Sequence, residues 1–122
     1  MQEEYEKLYS EFIRDYQSGV TTAEMAGELI AKLAGFFPNF SAMLCREERS
    51  YALVCRDEVL KSDDQTGKAV SSVKAMTIAE ATDEAYAYKK AKSHIANLEM
   101  LIQSAKALQR GLIQELSHAN LQ

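Results

Sequence analysis

A short cluster near residue 88 combines aromatic rings with positive charges. Tyr86 and Tyr88 are followed closely by Lys89, Lys90 and Lys92. Aromatic rings stack on nucleic-acid bases and lysines neutralise phosphates, so this order is typical of single-strand binding surfaces. The simpler alternative is a solvated helix face with Tyr88 in the core, which the two acidic residues just before the cluster favour. The cluster therefore gives one hypothesis about chemistry, the binding of single-stranded nucleic acid.

A second basic group lies in the middle of the chain. Arg56 and Lys61 could add phosphate contacts to the same hypothesis. Arg46, Arg49 and Arg56, however, alternate with acidic residues along the sequence. Such a mixture usually indicates surface ion pairs that contribute little energy. If these cations converge on one face, a nucleic-acid interface is favoured. If each pairs with a neighbouring acid, a surface for protein contacts alone is favoured.

The cysteines and histidines show no metal-ligand spacing. Cys45, Cys55, His94 and His118 fit no zinc pattern, so no metal site is expected. If both cysteines share one helix, their Cα atoms are about 15 Å apart, too far for a disulfide within that helix. We therefore expect two small buried hydrophobic side chains, and a polar His94 at the edge of the core.

Catalytic motifs are absent from the sequence. The stretch DDQTGK at 63–68 has Gly67 and Lys68 but lacks the first glycine and the final hydroxyl residue of a phosphate-binding loop. No nucleophile–base order or paired-carboxylate motif can be placed. The sequence predicts a protein that is not an enzyme, with no cofactor and no small-molecule substrate.

Charge is unevenly distributed along the chain. The net charge is −4 over 122 residues, which argues against a strongly basic nucleic-acid binder. Residues 1–28 contain two basic and seven acidic side chains, so that the remainder carries a net +1. No apolar run reaches the length of a membrane span, and the acidic start does not resemble a signal peptide. A cytoplasmic protein without a membrane partner is expected.

The first third of the chain has the pattern of two helices. Residues 3–17 carry an aromatic-rich apolar stripe at helical spacing. Thr21 and Glu24 fit a capping box for a second helix, which Gly35 and Pro38 would end.

Longer helices follow. Asn39 could cap a helix over 40–61, and the polar stretch 61–68 is the main predicted loop. Helix would resume near Ala69 with Val70, Val73 and Met76 on one side. A kink is expected within 78–83, with Thr82 as a possible cap.

The last segment carries a long apolar stripe. Its members alternate steps of three and four as heptad core positions do, and the chief ones are Tyr88, Ile95, Leu98, Ile102, Leu112 and Leu116. A helix of about 50 Å would outrun its partner at 40–61, which spans about 33 Å. An uncovered apolar end would form an exposed patch, so the sequence predicts a homo-oligomer.

The order of three segments resembles phage recombination mediators of the UvsY type. The segments are YALVCRDEVLKS at 51–62, SSVKAMTIAEATDE at 71–84 and LQRGLIQE at 108–115. The resemblance implies a small helical protein that oligomerises, binds single-stranded DNA and helps to load a recombinase. Of the lysine and arginine that contribute to DNA binding in that family, Arg56 matches the arginine and Val54 occupies the lysine position.

Together these observations predict an all-α, bundle-like domain over 1–122. Its parts are front helices at 1–37, a middle helix at 39–61 and a long C-terminal helical segment at 69–118, the last two forming an antiparallel hairpin. The expected function is a phage-type accessory role in DNA recombination or replication, with single-stranded DNA or recombination proteins as partners. The alternative is a helical assembly adaptor, for example in phage morphogenesis, that acts only through protein contacts.

Overall fold

The computed structural model describes residues 2–61 and 71–121, with side chains up to residue 118. This part of the chain is helical and contains no strand, which confirms the all-α, bundle-like class. The five helices are α1 (Glu4–Gln17), α2 (Ala23–Ala34), α3 (Phe37–Leu60), α4 (Ser72–Glu80) and α5 (Asp83–Leu121). Of the predicted loop, only Lys61 is among the described residues.

The short turn between α1 and α2 determines how the second helix begins. Gly19 adopts a φ of 76°, a left-handed conformation that glycine takes without strain. The N-cap of α2 is Thr22, whose Oγ1 accepts a hydrogen bond of 3.2 Å from the Met25 N–H. The prediction that Thr21 caps this helix is therefore wrong by one residue.

The third helix begins earlier than the sequence predicts. Pro38 lies in the first turn of α3, where the missing N–H of proline has no intrahelical partner to lose. Asn39 is thus inside the helix, and its assignment as the cap is wrong.

The chain divides into two compact units. Unit 1 contains residues 1–38 and 96–122, and unit 2 contains residues 39–95, so α3 and α5 contribute to both. The core of unit 1 is built from large side chains, since Tyr5, Leu33 and Leu98 are completely buried. A side-chain hydrogen bond joins Tyr5 to Asn97, and burial raises the pKa of its phenol.

The front helices cover much of the C-terminal apolar stripe. Gln109 on α5 donates a hydrogen bond of 3.2 Å from Nε2 to the carbonyl of Ala23 on α2. Ile102 is buried and Leu112 is half-buried, while Leu116 is 60% exposed. The sequence predicts that the end of the stripe is left uncovered. This is wrong for the stripe as far as Leu112, because α1 and α2 pack against that part of α5 within unit 1.

In unit 2, α3 and α5 run antiparallel. The ring centroids of Phe40 and His94 are 4.7 Å apart, and those of Tyr51 and Tyr88 are 5.5 Å apart. Because the lower number on α3 contacts the higher number on α5, the two helices run in opposite directions, as the predicted hairpin requires.

The predicted kink separates α4 from α5. The hydroxyl of Thr82 donates to the Ala79 carbonyl at 2.6 Å and accepts from the Ala85 N–H at 3.3 Å. Thr82 therefore ends one helix and caps the next, as predicted. On α4 the buried residues are Ala75 and Ala79.

Candidate functional site

The tyrosine–lysine cluster is only partly available to a ligand. Tyr88 is half-buried, because its ring stacks on Tyr51 at an interplanar angle of 23°. The Nζ atom of Lys92 lies 5.1 Å from the centroid of the Tyr88 ring, within the range of a cation–π contact. Tyr86 is 68% exposed, and Lys89 and Lys90 are exposed as well. One ring of the cluster thus belongs to helix packing and the other faces solvent.

Tyr51 connects this cluster to the packed face of α3. Burial raises the pKa of the Tyr51 phenol, and a hydrogen bond with the Cys55 thiol raises it further. The stacking of its ring on Tyr88 makes Tyr51 a packing residue between α3 and α5.

The two predicted cations on α3 are paired with their own neighbours. Arg56 Nη2 lies 3.3 Å from Asp57 Oδ1, and Lys61 Nζ lies 2.6 Å from Glu58 Oε1. At 3.6 residues per turn, Arg56 is about 150° around the helix from Phe40 and Tyr51, which face α5. The structure therefore does not bring Arg56 onto the surface that carries Lys89, Lys90 and Lys92.

The arginines of α3 instead share a face of their own. We call this surface the arginine stripe, and its exposed members follow steps of four and three residues: Ala42, Arg46, Arg49, Leu53, Arg56 and Leu60. At helical spacing they occupy an arc of about 80°. Arg46 and Arg56 contact adjacent acids at 3.7 and 3.3 Å, but surface pairs of this kind are weak and easily exchanged.

The stripe is hidden when the charges of α3 are counted in chain order. In chain order Glu47 and Glu48 lie between Arg46 and Arg49, yet among the described residues only Arg46 of these two arginines contacts an acid, the weak pair with Glu47 at 3.7 Å. On a helix, residues one or two positions apart do not share a face, whereas residues three and four apart do. The heptad step that identified the apolar stripe of α5 would also have identified the arginine stripe.

In the parts of unit 2 that the structure describes, 39–61 and 71–95, no large side chain is fully buried. Among its described residues, the buried ones are all alanines: Ala75, Ala79, Ala85 and Ala91. The 24-residue helix α3 has no buried residue at all. Large apolar side chains stay exposed instead, with Leu53 at 43%, Leu60 at 73% and Val73 at 79%.

Unit 1 has a groove between α1 and α2 whose rim is acidic, and therefore opposite in charge to the arginine stripe. We call it the acidic groove, with a volume of about 170 Å³. Its floor is apolar and its rim carries three carboxylates and one ammonium group. The floor residues are Leu8, Phe12, Met25 and Leu29, and the rim residues are Glu11, Asp15, Glu28 and Lys32.

The remaining candidate residues form no reactive cluster. Cys45 is exposed and Cys55 is only half-buried, so the expectation of two buried thiols is wrong for both. Both thiols are free. Within the described ranges, no group of three metal-ligating side chains comes together. His94 is half-buried against Phe40, as expected of a residue at the core edge.

Two general findings complete the description. None of the helices in the described part of the chain combines the length and apolar character needed to cross a membrane. Comparison with protein-family models, curated proteins and solved structures gives no significant match.

Proposed function

We propose that this chain is a non-catalytic helical assembly module that acts through protein–protein contacts and associates with itself. The observation that carries the proposal is the composition of unit 2. Among the described residues of unit 2 the buried ones are alanines, while Leu53, Leu60 and Val73 are exposed. Burial of a large aliphatic side chain contributes roughly 1.5–3 kcal/mol, far more than an alanine methyl group can. A partner that covers α3 would supply the burial that unit 2 does not provide for itself.

The pairing of the basic residues also supports an assembly role. Arg56 and Lys61, two of the five cations first considered for DNA, have acidic partners on their own helix. Arg56 also lies on the face opposite to the one that packs on α5. A protein surface of mixed charges beside exposed leucines is typical of a contact between proteins of moderate affinity.

Light scattering coupled to gel filtration tests self-association. The expected mass rises above the 13.6 kDa of one chain as the protein concentration increases from about 1 to 200 μM, since association follows mass action. The variant Leu53→Ser with Leu60→Ser should lower the mass at a given concentration. Val20→Ser with Met100→Ser, which removes exposed apolar side chains of unit 1 away from α3 and from the end of α5, is the matched control. A mass of 13.6 kDa throughout this range would contradict the proposal.

A second candidate is weak binding of single-stranded DNA as an accessory protein of recombination or replication. The observation that favours it is the arginine stripe, which aligns Arg46, Arg49 and Arg56 on one exposed face. Lys89 and Lys90 add exposed charge elsewhere in the same unit. No acidic side chain among the described residues forms an ion pair with either lysine or with Arg49.

Fluorescence anisotropy with a labelled oligonucleotide tests this candidate. Each phosphate contact on a single strand contributes about −0.7 to the slope of log affinity against log salt. Arg49→Ala with Arg56→Ala should therefore flatten the slope by about 1.4, and Lys89→Glu with Lys92→Glu should also flatten it. Arg14→Ala, on the acidic helix α1, should leave the slope unchanged. No binding at about 50 mM salt, where charges are weakly screened, would exclude DNA contact.

A further inference from the structure

We infer that the arginine stripe of one copy docks into the acidic groove of a second copy, so that the chain associates head to tail. The inference rests on the proposed self-association and names the two surfaces that perform it. One surface lies on α3 in unit 2, and the other lies between α1 and α2 in unit 1.

Charge complementarity is the first argument. The stripe carries Arg46, Arg49 and Arg56 and has no acidic member; when Glu47 and Asp57, the acids paired with Arg46 and Arg56, are counted, its net charge is +1. The rim of the groove carries three carboxylates against Lys32, a net charge of −2. The wider surroundings have the same sign, because residues 1–28 carry a net −5. Opposite potentials of this kind steer association and select the correct partner surface.

Apolar complementarity is the second argument. Between the arginines of the stripe lies Leu53, which is 43% exposed. The floor of the groove is formed by Leu8 and Met25, both half-buried, with Phe12 and Leu29 beneath them. An inserted leucine would meet carbon atoms on the floor, while the arginines on either side of it would reach the rim.

The dimensions of the two surfaces agree. Arg49 and Arg56 are seven residues apart, about 10 Å along a helix. The groove extends from Leu8 to Asp15 on α1 and from Met25 to Lys32 on α2, and the end residues on each helix are likewise seven positions apart. The separation of the two arginines therefore matches the length of the groove, with Leu53 between them.

A symmetric contact between two stripes is disfavoured. Two copies paired through this face would bring two sets of three arginines together. The weak pairs with Glu47 and Asp57 leave each stripe net positive, and like charges across an interface are repulsive. A contact between two different patches leaves one patch free at each end, so that further copies can add as a ring or a filament.

Mixing two variants tests the docking. The stripe variant carries Arg49→Ser and Arg56→Ser, and the groove variant carries Glu11→Lys and Glu28→Lys. Each should remain at 13.6 kDa alone, at a concentration where the wild type associates. Their mixture should give twice that mass and no more, because only one wild-type stripe and one wild-type groove remain to combine. Circular dichroism should show unchanged helix content in both variants.

Matched charge changes elsewhere serve as controls. Lys106→Ser with Arg110→Ser and Glu99→Lys with Glu115→Lys alter exposed residues of α5 by the same charges, and both should associate like the wild type. A chain that combines Arg49→Glu and Arg56→Glu with the two groove changes restores opposite charges and should associate again. Raising the salt to about 500 mM should weaken every assembly that forms.

The outcomes separate the docking from the proposed function. A wild type that stays monomeric overturns both. A wild type that associates together with both variants overturns the docking and leaves self-association standing. If the stripe variant is monomeric but the groove variant still associates, the stripe contacts a different surface, which also overturns the docking. A stripe variant that keeps its mass but loses oligonucleotide binding would assign the arginines to nucleic acid instead.

Discussion

Truncation of Leu98 should be among the most damaging single changes in unit 1. Leu98 is fully buried on α5, in the unit that also buries Tyr5 and Leu33. Leu98→Ala removes the Cγ atom and two methyl groups and leaves a cavity, which costs about 2–5 kcal/mol in well-packed cores. The unfolding entropy of about 2.1 cal/mol/K per residue gives about 0.26 kcal/mol/K for 122 residues. The melting temperature should therefore fall by about 8–19 °C.

The matched control is Met100→Ala, two residues further along the same helix. Met100 is 60% exposed, so its truncation should change the melting temperature by only a few degrees. Thermal denaturation followed by circular dichroism at 222 nm, with urea titration as a second measurement, compares the two variants. If Leu98→Ala were no more destabilising than Met100→Ala, the packing assigned to α5 in unit 1 would be wrong.

Three further predictions follow from local structure. Thr22→Ala should lower the free energy of unfolding by about 1 kcal/mol through loss of the α2 cap, whereas Thr21→Ala should change it little, as urea titration can measure. Gly111→Ala should raise the free energy of unfolding by about 0.4–1 kcal/mol, because an added Cβ meets no atom within 4 Å. Gly27→Ala should raise the free energy of unfolding by less, since its Cβ would lie 3.0 Å from Gln109 Nε2. Burial raises the pKa of Tyr5 above 10.0, so the folded state holds the phenolic proton more tightly than the unfolded state. The contribution of Tyr5 to stability should therefore be complete below pH 10 and be lost as the pH rises through the raised pKa, and Tyr5→Phe should reduce the fall in urea midpoints measured between pH 9 and 11.

The helices could be predicted from the sequence because their apolar periodicity is strong. The stripe through Leu98 and Ile102 and the break at Thr82 depend on local spacing and side-chain hydrogen bonding, which the sequence contains directly. Helix starts were less predictable. Thr21 and Thr22 are both good caps, and Pro38 is compatible with a first turn as well as with a helix end.

The candidate surfaces could be predicted only in part. Whether Leu112 is covered depends on which helices pack beside α5, a tertiary fact that periodicity does not contain. The acidic groove exists because the packing of α1 on α2 brings Glu11 and Glu28 to the same rim, and the sequence alone does not specify that packing. The arginine stripe, in contrast, needed only the helical step from Arg49 to Arg56.

Hydrogen exchange at two protein concentrations tests the central claim, that another copy covers the exposed face of α3. Amides of residues 42–60 should exchange more slowly at about 200 μM than at about 2 μM, because association adds protection to a helix that has no buried residue of its own. Amides around Leu98, whose protection comes from the core of unit 1, should exchange at the same rate at both concentrations. If the amides of residues 42–60 exchange at the same rate at both concentrations, another copy does not cover α3.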